Sequence, residues 1–222
     1  MIKKAPLHGG VEFYMVIDIL WIVVRIVGSL LATICAFRAY LKYINLHPDS
    51  PLYQVVQSCS DWISEPLAKL FPESKKYDWG SIAGSVLISF FVAIVFYFSE
   101  KLQSLEAQGI SGFPEFIQPF GFVLLLGVIW LLDWCLHLAV ILVIFHVLLS
   151  WISPATKIGT MRPIIEKLVS PILFPIQKIV FRGSPKFSQL NFDPSPIALF
   201  IILQILFLIN DRLISEIILA IL

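Results

Sequence analysis

Charge is what this sequence has least of. Only 14% of its 222 residues are Asp, Glu, Lys or Arg, against roughly 25% in a soluble domain. That shortage excludes an ordinary water-soluble globule. The formal net charge is +1, so the chain has no basic excess to recruit nucleic acid as a general partner. Cysteine is scarce too: Cys35, Cys59 and Cys135 form no CxxC and no CxxCH pair. A disulfide framework, a metal site and a c-type haem attachment are therefore not expected. The sequence also has no P-loop, no HExxH and no GxSxG. With none of these signatures the expectation is a protein that is not an enzyme and carries no cofactor.

Apolar residues fill the space that charge leaves. They make up 58% of the chain, and the mean hydropathy is +0.88. They gather in four long runs, at about residues 14–43, 81–98, 116–151 and 196–214. A membrane span needs about 20 residues at 1.5 Å each. The second and fourth runs just reach this; the first and third exceed it and are expected to tilt, kink or project. The first run follows Lys3 and Lys4, as a signal peptide would. It is much longer than the roughly 7–15-residue apolar core of one, so it reads as a retained span.

Two connectors, 44–80 and 152–195, mix proline, charge and apolar residues. Within them, about 52–71 and 163–181 are amphipathic and are expected to form helices on the membrane surface. Ser170 before Pro171 reads as an N-cap with proline at the first helical position. The stretch 99–115 is a short acidic linker, and 1–13 and 215–222 are tails. The last residues either prolong the fourth span or lie on the outer surface.

Set against itself, the chain repeats. Pro66 meets Pro175 and Lys69 meets Lys178 at an offset of 109. Tyr43 meets Trp151 at 108, and Asp78 meets Asp193 at 115. The expectation is an all-α membrane protein with four transmembrane helices in two tandem repeats, 14–98 and 116–214, each with a proline-rich amphipathic surface helix. Each unit would cross an even number of times, so the copies would run parallel about an axis along the membrane normal. Lys and Arg then give orientation. Lys42, Lys69, Lys75, Lys76, Lys157, Arg162, Lys167, Lys178, Arg182 and Lys186 fall on the connectors. Lys3, Lys4, Lys101 and Arg212 fall on the other side. The connectors are expected in the cytoplasm and both termini outside.

Ser150-Trp151, then Pro171, Pro175 and Lys178, then Phe192-Asp193-Pro194-Ser195-Pro196 closely resemble the signature of the YggT family of membrane proteins. The first unit keeps Pro66, Lys69 and Asp78 but has Trp62 where the second has Pro171. Arg38 sits where the family often has an arginine. The resemblance implies a non-catalytic multi-pass protein of the bacterial cytoplasmic (inner) membrane. It points to a scaffold or assembly factor in cell division or membrane-complex assembly. The other implication is a small ion or solute transporter or channel component linked to osmotic stress. Chloroplast relatives are linked to haem attachment and nucleoid distribution. Expected partners are the lipid bilayer, a membrane or cytoplasmic protein, and a second copy as a homodimer.

Three residues stand out for chemistry. Arg25 and Asp133 lie deep in the first and third runs, at equivalent positions 108 apart. A lipid-facing charge there costs roughly 2.5–3.5 kcal/mol. An ion pair between them, clasping the two units, is the expected solution; a proton relay and snorkelling are the alternatives. His137, one turn beyond Asp133, can bond its carboxylate. His146 takes the place of Arg38 near a span end. His137 and His146 are nine residues apart, on opposite sides of one helix, so they cannot share one haem iron. Rows of small residues (Gly28, Ala32, Ala36; Ser81, Ser85, Ser89, Ala93) mark close helix contacts. Asp78 and Asp193 are placed to cap the helices that follow.

Overall fold

A computed structural model describes residues 8–71, 74, 76–107, 120–151, 161–182 and 195–221. Among these residues the chain is all helical, with α1 at His8–Tyr43, α2 at Pro51–Ala68, α3 at Trp79–Ala107, α4 at Phe120–Trp151, α5 at Arg162–Arg182 and α6 at Ser195–Ile221. Four of them, α1, α3, α4 and α6, are long and apolar enough to cross a membrane. The helices form where expected, with four differences of extent. α1 begins at His8, inside the expected N-terminal tail. α3 runs on through the start of the acidic linker. α6 continues past 214 to Ile221, because Ile214, Ile217 and Ile218 pack into an apolar cluster that rewards further turns. α5 begins at Arg162 rather than after a cap at Ser170. Pro171 has no N–H for the Lys167 carbonyl four residues back, and Ser170 Oγ donates to that oxygen at 3.2 Å, so the helix passes through both Pro171 and Pro175.

α2 starts as a capped helix should. Pro51 occupies the first turn, and Ser50 Oγ accepts from the Tyr53 amide at 3.3 Å. Val56, Ser60 and Ser64, spaced by four, form its buried face.

α3 is the central helix. Buried residues fill 44% of its most apolar window, against 17–22% for the other three long helices. It packs on α1, α2 and α4. Ser81, Ser85, Ser89 and Ala93 are all buried. Gly28 of α1 lies against Val92 so closely that a Cβ would overlap its Cγ2. Apolar side chains gain little by leaving lipid for one another, so such close backbone approach, with its dispersion contacts, holds the pair.

Two apolar clusters flank the midplane. One joins Leu41, Val56, Leu142, Leu168, Leu173 and Leu203, from α1, α2, α4, α5 and α6. The other joins Val92, Phe96, Leu126, Trp130 and Ile217, from α3, α4 and α6, with Trp21 of α1 packed against it. α5 is tied to α1 and to the turn that follows it by one bond each. Tyr40 Oη donates to the Leu168 carbonyl at 2.5 Å, and Lys167 Nζ to the Asn45 carbonyl at 2.7 Å.

Candidate functional site

Two polar sites lie among these helices. The first is at the connector end of α1, α2 and α3. Arg38 reaches from α1. Its Nε donates to Asp78 Oδ2 at 3.1 Å, and one terminal nitrogen donates to Asp61 Oδ1 at 2.5 Å and Ser60 Oγ at 3.1 Å. The Arg38 and Asp78 side chains are 12% and 10% exposed. Asp78 Oδ1 also accepts from the Ser81 amide at 3.2 Å, capping α3. Ser81 Oγ donates to Ser64 Oγ at 3.0 Å, joining α3 to α2. Gly80 allows this closeness, since a Cβ there would collide with the Ser64 carbonyl and the Ala68 amide. The guanidinium thus ties three helices into one knot, one cation shared between two carboxylates. Tyr43, Tyr77 and Trp79 form a chain of rings beside it, with Lys76 Nζ 5.2 Å from the Tyr43 centroid. Such aromatic and lysine side chains collect at a membrane–water boundary.

The second site lies between the two apolar clusters, near the middle of α1, α4 and α6. Asp133 Oδ1 accepts from Asn210 Nδ2 at 3.1 Å. Asp133 Oδ2 lies 3.4 Å from His137 Nδ1. His137 Nδ1 also lies 2.9 Å from the Asp133 carbonyl oxygen. Both neighbours are acceptors, so Nδ1 carries a hydrogen; in the tautomer with Nε2 bare, Nε2 is the ring's acceptor. The His137 ring stands edge-on to Phe207, with centroids 4.6 Å apart. Asn210 is 2% exposed, and its Oδ1 has no hydrogen-bond partner among the described residues.

Arg25 and Asp133 line one cavity of about 560 Å³ with His137, Trp21 and Trp134. The ion pair expected between them is not formed: among the described residues the salt bridge to Asp133 comes from His137 alone. Equal offset along two helices gives equal depth but leaves rotation free. Here the carboxylate turns to Asn210 and His137. Asn210 escaped the sequence reading, although it is an amide near the end of an apolar run, and so did Asp61.

The other expected site residues are scattered. Pro66 and Lys69 are exposed at the end of α2, where Lys69 is the C-cap. Pro171 and Pro175 are exposed on α5, and Lys178 Nζ lies 4.3 Å from the Phe174 ring centroid. Ser150 Oγ donates to the Val147 carbonyl at 2.6 Å, and Trp151 is exposed. His146 is half-buried on α4. Ser195 is buried at the start of α6, with Pro196 next to it. Asp193 lies outside the described residues.

Four long apolar helices, lined outside by exposed residues such as Val16, Leu20, Val23 and Val27, place the chain among multi-pass membrane proteins. Its second half is more narrowly defined: residues 125–214, which take in most of α4, all of α5 and most of α6, match the family model CCB3/YggT. Asp133, His137 and His146 fall inside the match; Arg25, Arg38 and Asp78 fall outside it. No curated protein and no solved structure matches the chain.

Proposed function

We infer that the chain is a non-catalytic scaffold of a bacterial cytoplasmic membrane, acting through α2 and α5 on a membrane or cytoplasmic protein in division or membrane-complex assembly. One observation carries this reading. Both connector helices are fastened to the bundle by polar anchors, α2 by the Arg38 knot and α5 by Tyr40 and Lys167, while Trp62 and Phe174 stay exposed on them. A rigidly held helix with outward aromatic residues is pre-organised for docking, which lowers the ordering cost of binding. The lysine and arginine excess on the connectors favours a cytoplasmic position for these faces, with both termini outside. α1–α3 repeats the helix order of α4–α6, which supports reading it as a second copy of the same unit, with α2 and α5 on the membrane surface.

Photo-crosslinking tests this. A photoreactive residue at Trp62 or Phe174, in native membranes, is expected to give discrete protein adducts, whereas one at the lipid-facing Val23 gives lipid adducts. Lipid adducts from all three positions would end the scaffold reading.

The second reading is a small ion or solute transporter, favoured by Asp133, His137 and Arg25 sharing a cavity. Proton, Na⁺ or K⁺ flux in liposomes that an Arg25→Ala/Asp133→Ala variant abolishes would establish it. The apolar clusters on both sides of the site weigh against it, since conduction needs polar groups along the whole path.

A further inference from the structure

We propose that the cleft between α1 and α4 binds a lipid-soluble quinone or quinol, whose ring oxygens meet Arg25, Asp133 and His137. Arg25 is the costliest group in the cleft. A guanidinium near the middle of a span is costly in lipid. Here it is exposed and, among the described residues, accepted by no carboxylate or carbonyl. It lines a cavity with a carboxylate and an imidazole. The volume, about 560 Å³, is within the range of small-molecule pockets, roughly 300–1,000 Å³.

The route in decides the ligand's phase. Towards either membrane face the cavity is flanked by packed apolar side chains. Sideways, its lining residues Ile22, Ile26, Leu30 and Ile141 are exposed. A ligand therefore arrives from the lipid, through the side of the bundle.

The polar groups decide its chemistry. A purely apolar ligand would leave the Arg25 guanidinium without an acceptor. A phospholipid or fatty acid would have to carry an ionised head from the interface to the middle of the bilayer, at a high cost. A neutral ring bearing carbonyl or hydroxyl oxygens avoids both penalties. Arg25 has only donors, and so suits a carbonyl oxygen. Asp133 and His137 Nε2 are acceptors, and so suit a hydroxyl. Trp21 and Trp134 line the same cavity and offer flat faces to a ring. Only binding is inferred, with no electron transfer by the protein.

The test uses the full chain in nanodiscs of phosphatidylcholine, titrated with a decyl-substituted benzoquinone and followed by tryptophan fluorescence. The expected result is saturable quenching above the linear quenching caused by partition into lipid. The saturable part should vanish in a Trp21→Phe/Trp134→Phe variant and shift at least ten-fold to higher quinone in Arg25→Gln. Each variant is first checked for unchanged helix content and thermal melting. Should Arg25→Gln misfold, wild-type protein still decides, because dodecanoate at equal bilayer fraction should fail to displace the quinone. Linear quenching in the wild type, an unshifted curve in folded Arg25→Gln, or displacement by dodecanoate would each overturn the proposal.

Discussion

The molecule keeps two aspartate sites and treats them in opposite ways. At the connector end, Asp61 and Asp78 meet a guanidinium that forks between them and is itself nearly buried. At mid-depth, Asp133 meets a neutral amide and a histidine on its own helix, while a second guanidinium in the same cavity is unpaired among the described residues. In the first site a cation meets two carboxylates and binds three helices together. The second is left chemically open. A cation held by carboxylates from neighbouring elements is a structural part; a cluster with unspent donors and acceptors is where a ligand belongs.

Substitutions sharpen this contrast. The largest effect is expected from Arg38→Met, which leaves the buried Asp78 carboxylate and the part-exposed Asp61 carboxylate around a thioether. Unfolding in mild detergent should show a loss of about 3–5 kcal/mol. If Arg38→Met melts like the wild type, the knot is not holding the fold and the comparison fails. Gly80→Val comes next, at about 1–3 kcal/mol, since the new side chain must push α2 away from α3. A crosslink between cysteines placed at the Ser64 and Ser81 positions would report the separation. At the open site the effects should be smaller. Asn210→Leu is expected to lose only about 0.6–1.7 kcal/mol, read from the same unfolding curve. A cost for Asn210→Leu equal to that of Arg38→Met would place Asp133 among the structural residues. The smallest effect is expected from Tyr40→Phe, about 0.5–1.5 kcal/mol for one hydrogen bond, with increased protease access to α5 as a second readout.

Much of the architecture was legible because membrane insertion leaves strong marks. Long apolar runs fix the spans, and the amphipathic stretch at about 52–71 marks α2. Arg38 and Asp78 were each conspicuous, one as a charge near a span end and the other as a cap. That they meet was not legible, because their 40-residue separation carries no periodic signal. Asp61 was hidden among ordinary polar residues of an amphipathic stretch. The Arg25–Asp133 pairing failed for a different reason. Repeat arithmetic locates a residue along its helix, whereas contact depends on the rotation of that helix about its axis. His137 was readable beside Asp133, since four residues along one helix guarantee proximity. The N-cap assigned to Ser170 failed because its hydroxyl served the Lys167 carbonyl that Pro171 leaves bare.

The bonds from Tyr40 to Leu168 and from Lys167 to Asn45 bridge 128 and 122 residues of chain. During translation at roughly 5–20 residues per second, the end of α1 therefore emerges many seconds before the helix that covers it. Through that interval the Tyr40 hydroxyl and its apolar neighbours face either lipid or an insertion chaperone. The first half of the protein is thus born with an unfinished surface, and its last closing contact belongs to the ribosome's schedule as much as to the fold.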